Sequence, residues 1–250
     1  MTGSILWLKG WSMPASTFEP LIALLPDYAH IAPDYSSAGT PEEMLGIVEQ
    51  AAGSPALRRP LIIVGWSLGA TLALRLADQG LADGLVLVAG NARFVRPKVQ
   101  LGLGWPDAHL RHMIASIAKN RQDAESAFRQ LLLSDSEKGS GLEALLPPAG
   151  SWSSSALIAG LELLRREDRL SRLPAVACQV LIIHGREDRV CPFGAAEELY
   201  GEIPNAALLP MPGCGHMPFL GREREIIEAV RRWLLGEQDS EAIQSKRKRL

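Results

Sequence analysis

Ser67, Asp188 and His216 stand far apart in the chain, yet their residue types and local settings suit one reaction, attack of an activated hydroxyl on an acyl carbon. Ser67 sits in Gly65-Trp66-Ser67-Leu68-Gly69, after the apolar run Leu61-Ile62-Ile63-Val64 and before the helical segment Ala70 to Gln79. A serine on such a strand-to-helix corner is held in a strained conformation, with glycines on either side to let neighbouring chain pass close. A serine hydroxyl is a poor nucleophile at neutral pH, so a base must take its proton and a third group must orient the base. Asp188 follows the strand-like Val180 to Ile183 in the loop His184-Gly185-Arg186-Glu187-Asp188-Arg189-Val190, where open α/β sheets place their chemistry. It is the favoured acid, with the adjacent Glu187 as the substitute that otherwise reads as an exposed loop charge.

Five histidines compete for the role of base. His216 lies in Pro212-Gly213-Cys214-Gly215-His216-Met217-Pro218, between the last expected strand and the final helix, and can hang over the sheet edge that carries Ser67. His184 at a strand end, His30 at an early strand, and His109 and His112 in the middle of the chain read as structural or solvent-facing. In this scheme Ser67 attacks, His216 moves the proton and Asp188 holds the imidazole. The negative charge formed needs backbone donors. Leu68 supplies one N–H, and Trp11 in Lys9-Gly10-Trp11-Ser12 is the natural second, its alternative being ordinary packing.

The elements that must position these groups follow from the alternation of short apolar runs with longer helical patterns. Ile5 to Leu8, His30 to Ala32, Leu61 to Val64 and Leu85 to Ala89 read as strands, with helices over Phe18 to Leu25, Glu42 to Ala52 and Leu68 to Ala77. Thr40-Pro41-Glu42-Glu43 supplies an N-cap, a proline at the first helical position and a glutamate placed for a capping box. The rhythm then stops. Residues 91–172 read as an inserted helical cap, with helices over Ala108 to Ala118, Asp123 to Leu133 and Ser155 to Leu164. It resumes with strands at Val180 to Ile183 and Ala207 to Met211 and helices at Ala195 to Tyr200 and Glu223 to Leu235. The expected division is a core of 1–90 and 173–236, a cap of 91–172 and a flexible basic tail of 237–250. The fold class is α/β, a mostly parallel sheet with helices on both faces.

A chain of 250 residues, 47% hydrophobic, can bury one large core. A formal charge of -2 gives no general affinity for nucleic acid or anionic membrane. No basic leader and no run of eighteen apolar residues occurs, so the expectation is a cytoplasmic protein, read as a monomer. Cys178, Cys191 and Cys214 are odd in number and lack paired metal-ligand spacing, which points to reduced structural thiols and no metal site.

With the chain order Ser67, Asp188, His216 and the Trp11 loop, the sequence resembles the α/β-hydrolase superfamily over almost its whole length. Within it, the chain is similar to the pimeloyl-[acyl-carrier protein] methyl ester carboxylesterases of biotin synthesis. That likeness rests on Gly10-Trp11, the Ser67 pentapeptide, Gly160-Leu161-Glu162-Leu163-Leu164 and Asp168-Arg169-Leu170. The resemblance implies hydrolysis of a methyl ester on a pimeloyl chain carried by acyl-carrier protein, with no metal or organic cofactor. It also implies an acyl tunnel between core and cap, to which Trp11, Leu68, Phe128 and Leu132 contribute beside Ser67 and His216. An acidic carrier would meet cap cations, for which Arg111, Lys119, Arg121 and Arg129 are available, with Asp123 and Glu125 diluting the patch.

Two features depart from the family pattern. Lys9 stands where histidine usually precedes the glycine, and the chain begins near the family's third strand, which places a sheet edge near Ile5 to Leu8. The same triad would serve a general carboxylesterase or thioesterase on small acyl substrates, because fold and triad do not choose a substrate. A non-catalytic hydrolase-like binding protein is a further alternative, disfavoured by the intact triad.

Overall fold

Apolar runs of five or six residues without polar alternation demand burial on both faces, which a parallel sheet between helical layers provides. In the computed structural model, which describes residues 3–236 and the backbone of 244–245, these runs are strands. β1 (Ser4–Leu8), β3 (Leu61–Trp66) and β4 (Gly84–Val88) are buried at every residue. With β2 (Ala29–Ile31), β5 (Gln179–Gly185) and β6 (Ala206–Met211) they pair in parallel, in the order β2-β1-β3-β4-β5-β6. β7 (Gln244–Ser245) adds antiparallel to β6. Part of the expected loose tail is therefore a strand, and the other residues of 237–250 lie outside the described ones. The edge expected at Ile5 to Leu8 is also corrected: β1 is paired on both sides, and the short β2 takes the edge.

The helices are α1 (Glu19–Ile22), α2 (Pro41–Ala52), α3 (Leu68–Asp78), α4 (Asp107–Lys119), α5 (Arg121–Arg129), α6 (Asp135–Gly139), α7 (Ser154–Arg166), α8 (Phe193–Glu202) and α9 (Glu223–Leu234). Side chains alternate across a strand. Ile5, Trp7, Ile62 and Val64 meet α1 and α9 on one face, while α2, α3 and α8 pack against the strands on the other. Helices α4 to α7 all fall between β4 and β5.

Three boundaries differ from the sequence expectation for local reasons. The helix expected over Phe18 to Leu25 is a 3-10 turn (Ala15–Phe18) followed by the four-residue α1, because Pro26 pushes the residue before it out of helical conformation. Asn120 accepts hydrogen bonds from Gln122 N–H and Asp123 N–H, so α5 starts ahead of Asp123. It stops at Arg129 rather than Leu133, where the chain turns toward the His216 loop. At α2 Thr40 caps Glu43 N–H as its residue type predicts, but the Glu43 carboxylate reaches Gly39 N–H instead of closing a box on Thr40.

The strand order changes direction between β1 and β3, and a crevice opens at such a point beyond the carboxyl ends of the strands. The loop after β1 carries Trp11 and the turn after β3 carries Ser67. The start of α3 passes so close to β1 and β3 that a Cβ at Gly69 would stand 1.9 Å from the Leu8 carbonyl oxygen, and one at Gly65 would stand 2.3 Å from the Gly69 carbonyl oxygen. Gly69→Ala is therefore expected to cost about 3 kcal/mol or more of stability. Urea unfolding checks this, and an unchanged midpoint would contradict the packing.

Candidate active site

Ser67 adopts φ 56° and ψ -117°, an unfavourable conformation that the surroundings over-determine. Its N–H donates to Val88 O at 3.0 Å, and its carbonyl accepts from Ala70 N–H at 2.8 Å, so the turn is fastened to β4 and α3 at once. The hydroxyl projects to His216, with Oγ 2.7 Å from Nε2. His216 Nδ1 lies 2.8 Å from Asp188 Oδ2. A carboxylate only accepts, so Nδ1 carries a proton and Nε2 is left to accept from the serine. The structure thus brings together the three residues singled out in the sequence, whereas Glu187 is exposed.

Asp188 is held by more than the imidazole. Its other oxygen accepts Val190 N–H at 2.8 Å and Cys191 N–H at 2.9 Å. Burial alone would raise its pKa, but the attraction of His216 and hydrogen bonding from His184 and His216 outweigh that and hold it at about 2. His184 Nε2 contacts Cys191 O at 2.7 Å and lies 3.4 Å from Asp188 Oδ2, so it backs the acid, whereas His30 bridges Trp7 and Leu25 O in the framework. The cysteines are free, and burial raises the thiol pKa at Cys178 and Cys214 to about 11.

The His216 loop is fixed by the segment between α5 and α6. His216 N–H donates to Leu132 O at 2.7 Å, and Trp66 Nε1 donates to His216 O at 2.8 Å. Leu132 is buried and supports the loop through its backbone carbonyl, while its neighbour Leu131 is among the residues that wall the wider cleft. Glu137 accepts Ser134 N–H at 3.0 Å and Gly215 N–H at 2.8 Å, while Arg222 pairs with its second oxygen at 2.8 Å. The Ser134-Asp135-Ser136-Glu137 pattern is a capping-box signature that announces α6 in the sequence. Its second task, holding Gly215, carries no sequence signal.

On the opposite side, Gly10 to Met13 form a turn closed by Met13 N–H on Gly10 O at 3.3 Å. Trp11 Nε1 donates to Leu157 O at 2.7 Å, and the Trp11 and Phe128 rings meet edge to face at 4.9 Å. Leu68 is fully buried and, as the first residue of α3, has no intrahelical acceptor for its N–H. Lys9, the departure from the family pattern, is buried, pairs with Asp34 at 2.6 Å and places its ammonium 5.3 Å from the Tyr35 ring centroid. Tyr35 in turn donates to Lys9 O at 2.6 Å, so the residue braces the loop.

Ser67 faces a narrow apolar crevice of about 10 Å³, walled among others by Trp11, Phe94, Leu161 and Val190. Trp105, Met113 and Phe128 also wall a wider cleft of about 360 Å³, which links the serine to His109, His112 and Asp123 farther out. The two histidines thus belong to the cleft, which their sequence setting did not indicate. Of the expected cap cations, Lys119, Arg121 and Arg129 share a groove, while Arg111 pairs with Asp107 at 3.0 Å. Glu125 is not a diluting surface charge: it is 3% exposed and bonded inward.

A carboxyl held below its unfolded value of about 3.9 stabilises the fold above that pH, and the contribution is lost as pH falls through about 2. Stability measured by urea unfolding is expected to decline between about pH 4 and pH 2, and less steeply in Asp188→Asn. Parallel acid limbs in the two proteins would contradict the assignment.

The family model described as alpha/beta hydrolase family matches residues 5–229. The pimeloyl-[acyl-carrier protein] methyl ester esterase of Xanthomonas oryzae pv. oryzae (strain MAFF 311018) is 32% identical, over 92% of this chain and 94% of its own. That of Nitrosomonas europaea is 30% identical, over 89% and 92%. Among solved structures, a bromoperoxidase from Bacillus anthracis superposes with TM-score 0.79 at 16% identity, covering 94% of this chain and 92% of its own. An esterase from Exiguobacterium antarcticum gives 0.74 at 21%, covering 93% of each, and at these identities both share the fold alone. Sheet order, elbow and sequence likeness agree, and the chain belongs to the alpha/beta hydrolase family.

Proposed function

We propose that this chain is a serine carboxylesterase that hydrolyses the methyl ester of a pimeloyl chain carried on acyl-carrier protein, in biotin synthesis. The observation that carries the reading is the hydrogen-bonded line Ser67, His216, Asp188, at 2.7 and 2.8 Å, set at the inner end of an apolar cleft. The names and coverage of the relatives supply the substrate.

In this reading Ser67 Oγ attacks the ester carbonyl carbon while His216 Nε2 takes the hydroxyl proton and Asp188 stabilises the imidazolium. The tetrahedral oxyanion is met by the Leu68 and Trp11 N–H groups, one of which typically contributes about 3 kcal/mol to lowering the barrier. The placement of Leu68 at the start of α3 supports the first donor, and the Gly10 to Met13 turn supports the second. Collapse expels methanol with the proton from His216. Water, deprotonated by the same imidazole, then releases the free carboxylate and restores Ser67.

Residues 91–172 act as a cap over this centre, and the acyl chain runs outward past Trp105, Met113 and Phe128. The carrier remains outside. A groove of about 670 Å³ containing Lys119, Arg121 and Arg129 offers positive charge to an acidic carrier.

Ser67→Ala is expected to abolish both hydrolysis and covalent labelling by a fluorophosphonate, and undiminished labelling would assign the nucleophile elsewhere. Wild-type protein is expected to turn over methyl pimeloyl-carrier protein and to rescue a biotin-requiring strain that lacks its own esterase. Rapid hydrolysis of short nitrophenyl esters without rescue would leave a general esterase. Hydrolysis of the carrier-linked ester is also expected to fall as salt rises, while a small ester changes little. Equal salt dependence would remove the groove from carrier docking.

A further inference from the structure

We infer that Glu125, on α5, is a positioning residue that holds the oxyanion loop in its working shape through the hydroxyl of Ser12. The inference rests on the esterase reading above, because it concerns the loop that bears the Trp11 N–H.

Ser12 is the third residue of the turn from Gly10 to Met13 and has φ 64°, a conformation that a turn ordinarily reserves for glycine. A serine there is strained, and something must hold it. Its side chain is completely buried and donates to Glu125 Oε1 at 2.6 Å. The second carboxylate oxygen accepts from Arg121 Nε at 2.7 Å. Glu125 therefore enters the interior with a donor on each oxygen, and the charge it brings is balanced by an arginine that is itself 30% exposed. A buried carboxylate needs both partners, and a hydrogen bond to an ionised acceptor is about twice as strong as a neutral one.

The geometry makes the bond a constraint on the loop. Ser12 directly follows Trp11, whose indole is fixed to Leu157 O and whose ring packs on Phe128, one helical turn beyond Glu125 on α5. Indole and hydroxyl together leave the intervening backbone little freedom to rotate. A donor aimed at a developing oxyanion loses its value with small displacements, so releasing the hydroxyl acts on the transition state more than on substrate binding. Arg121 also belongs to the groove with Lys119 and Arg129, so the constraint reaches the surface where the carrier is proposed to dock.

The test uses full-length protein, p-nitrophenyl butyrate as substrate and an alkyl trifluoromethyl ketone as probe. The ketone adds to Ser67 Oγ, and its carbonyl oxygen becomes an oxyanion in the hole. Glu125→Ala and Ser12→Ala are each expected to lower kcat by on the order of 10- to 100-fold with KM within about twofold, and to weaken the ketone by a matching factor. The double variant is expected to lose no more than the worse single, and Glu125→Gln, which keeps an acceptor for the hydroxyl, to recover most of kcat. Unchanged kcat in a folded single variant, or losses that multiply in the double, would overturn the inference. Should Glu125→Ala fail to fold, Ser12→Ala decides alone by the same kcat and ketone readings. Wild-type turnover that Ser67→Ala eliminates tests the esterase reading separately, and its absence would remove that reading and this inference together.

Discussion

Parallel pairing delivers the carboxyl ends of six strands to one edge of the sheet, and the candidate site hangs from that edge. Ser67 follows β3, Asp188 follows β5 and His216 follows β6, so residues distant in sequence need only short loops to meet. The close passage of β1 beside the start of α3 puts the Trp11 loop beside the serine, and it is possible only because position 69 carries no side chain. Were the strands antiparallel, successive ends would alternate between two edges and these loops would be separated by the length of the sheet.

What could be read from the sequence was whatever is local. Periodicity placed the six core strands, the glycine-flanked serine placed the elbow, and a loop position after a late strand separated Asp188 from Glu187. The glutamates were opaque for a physical reason. Glu125 and Glu137 occupy short, charge-rich helices on which a carboxylate ordinarily faces water, and only tertiary packing turns them inward to Ser12 and Gly215. Leu132 shows the converse. The hydrogen bond that it accepts from the His216 loop uses its carbonyl oxygen, which no residue type reveals. His109 and His112 read as bystanders because nothing in a helix's own pattern tells which cavity it borders.

Three buried carboxylates surround the candidate centre, and each is saturated with donors: Asp188 by two amides and an imidazole, Glu137 by two amides and an arginine, Glu125 by a hydroxyl and an arginine. Removing one partner of such a group typically costs about 3–5 kcal/mol, because the remaining charge is stranded away from water. The arrangement therefore rigidifies the loops that must hold still during reaction. It also ties them to the segment between β4 and β5, so that the geometry at Ser67 and the placement of that segment are set by the same contacts.

Trp11 to Leu157, Trp152 to Met13 O and His216 to Leu132 join that segment to the core at widely spaced points. Lifting it as a hinged flap would rupture all three together, at a cost of about 1 kcal/mol per bond before any apolar area is exposed. In the reading proposed above, the acyl chain passes Trp105 and Phe128 instead, and a linear molecule would slide in end first. Such a passage would measure its guest: on that reading, the distance from the mouth to the serine decides which atom of a tethered chain comes to rest against the hydroxyl, so selectivity would reside in reach as much as in any attractive contact.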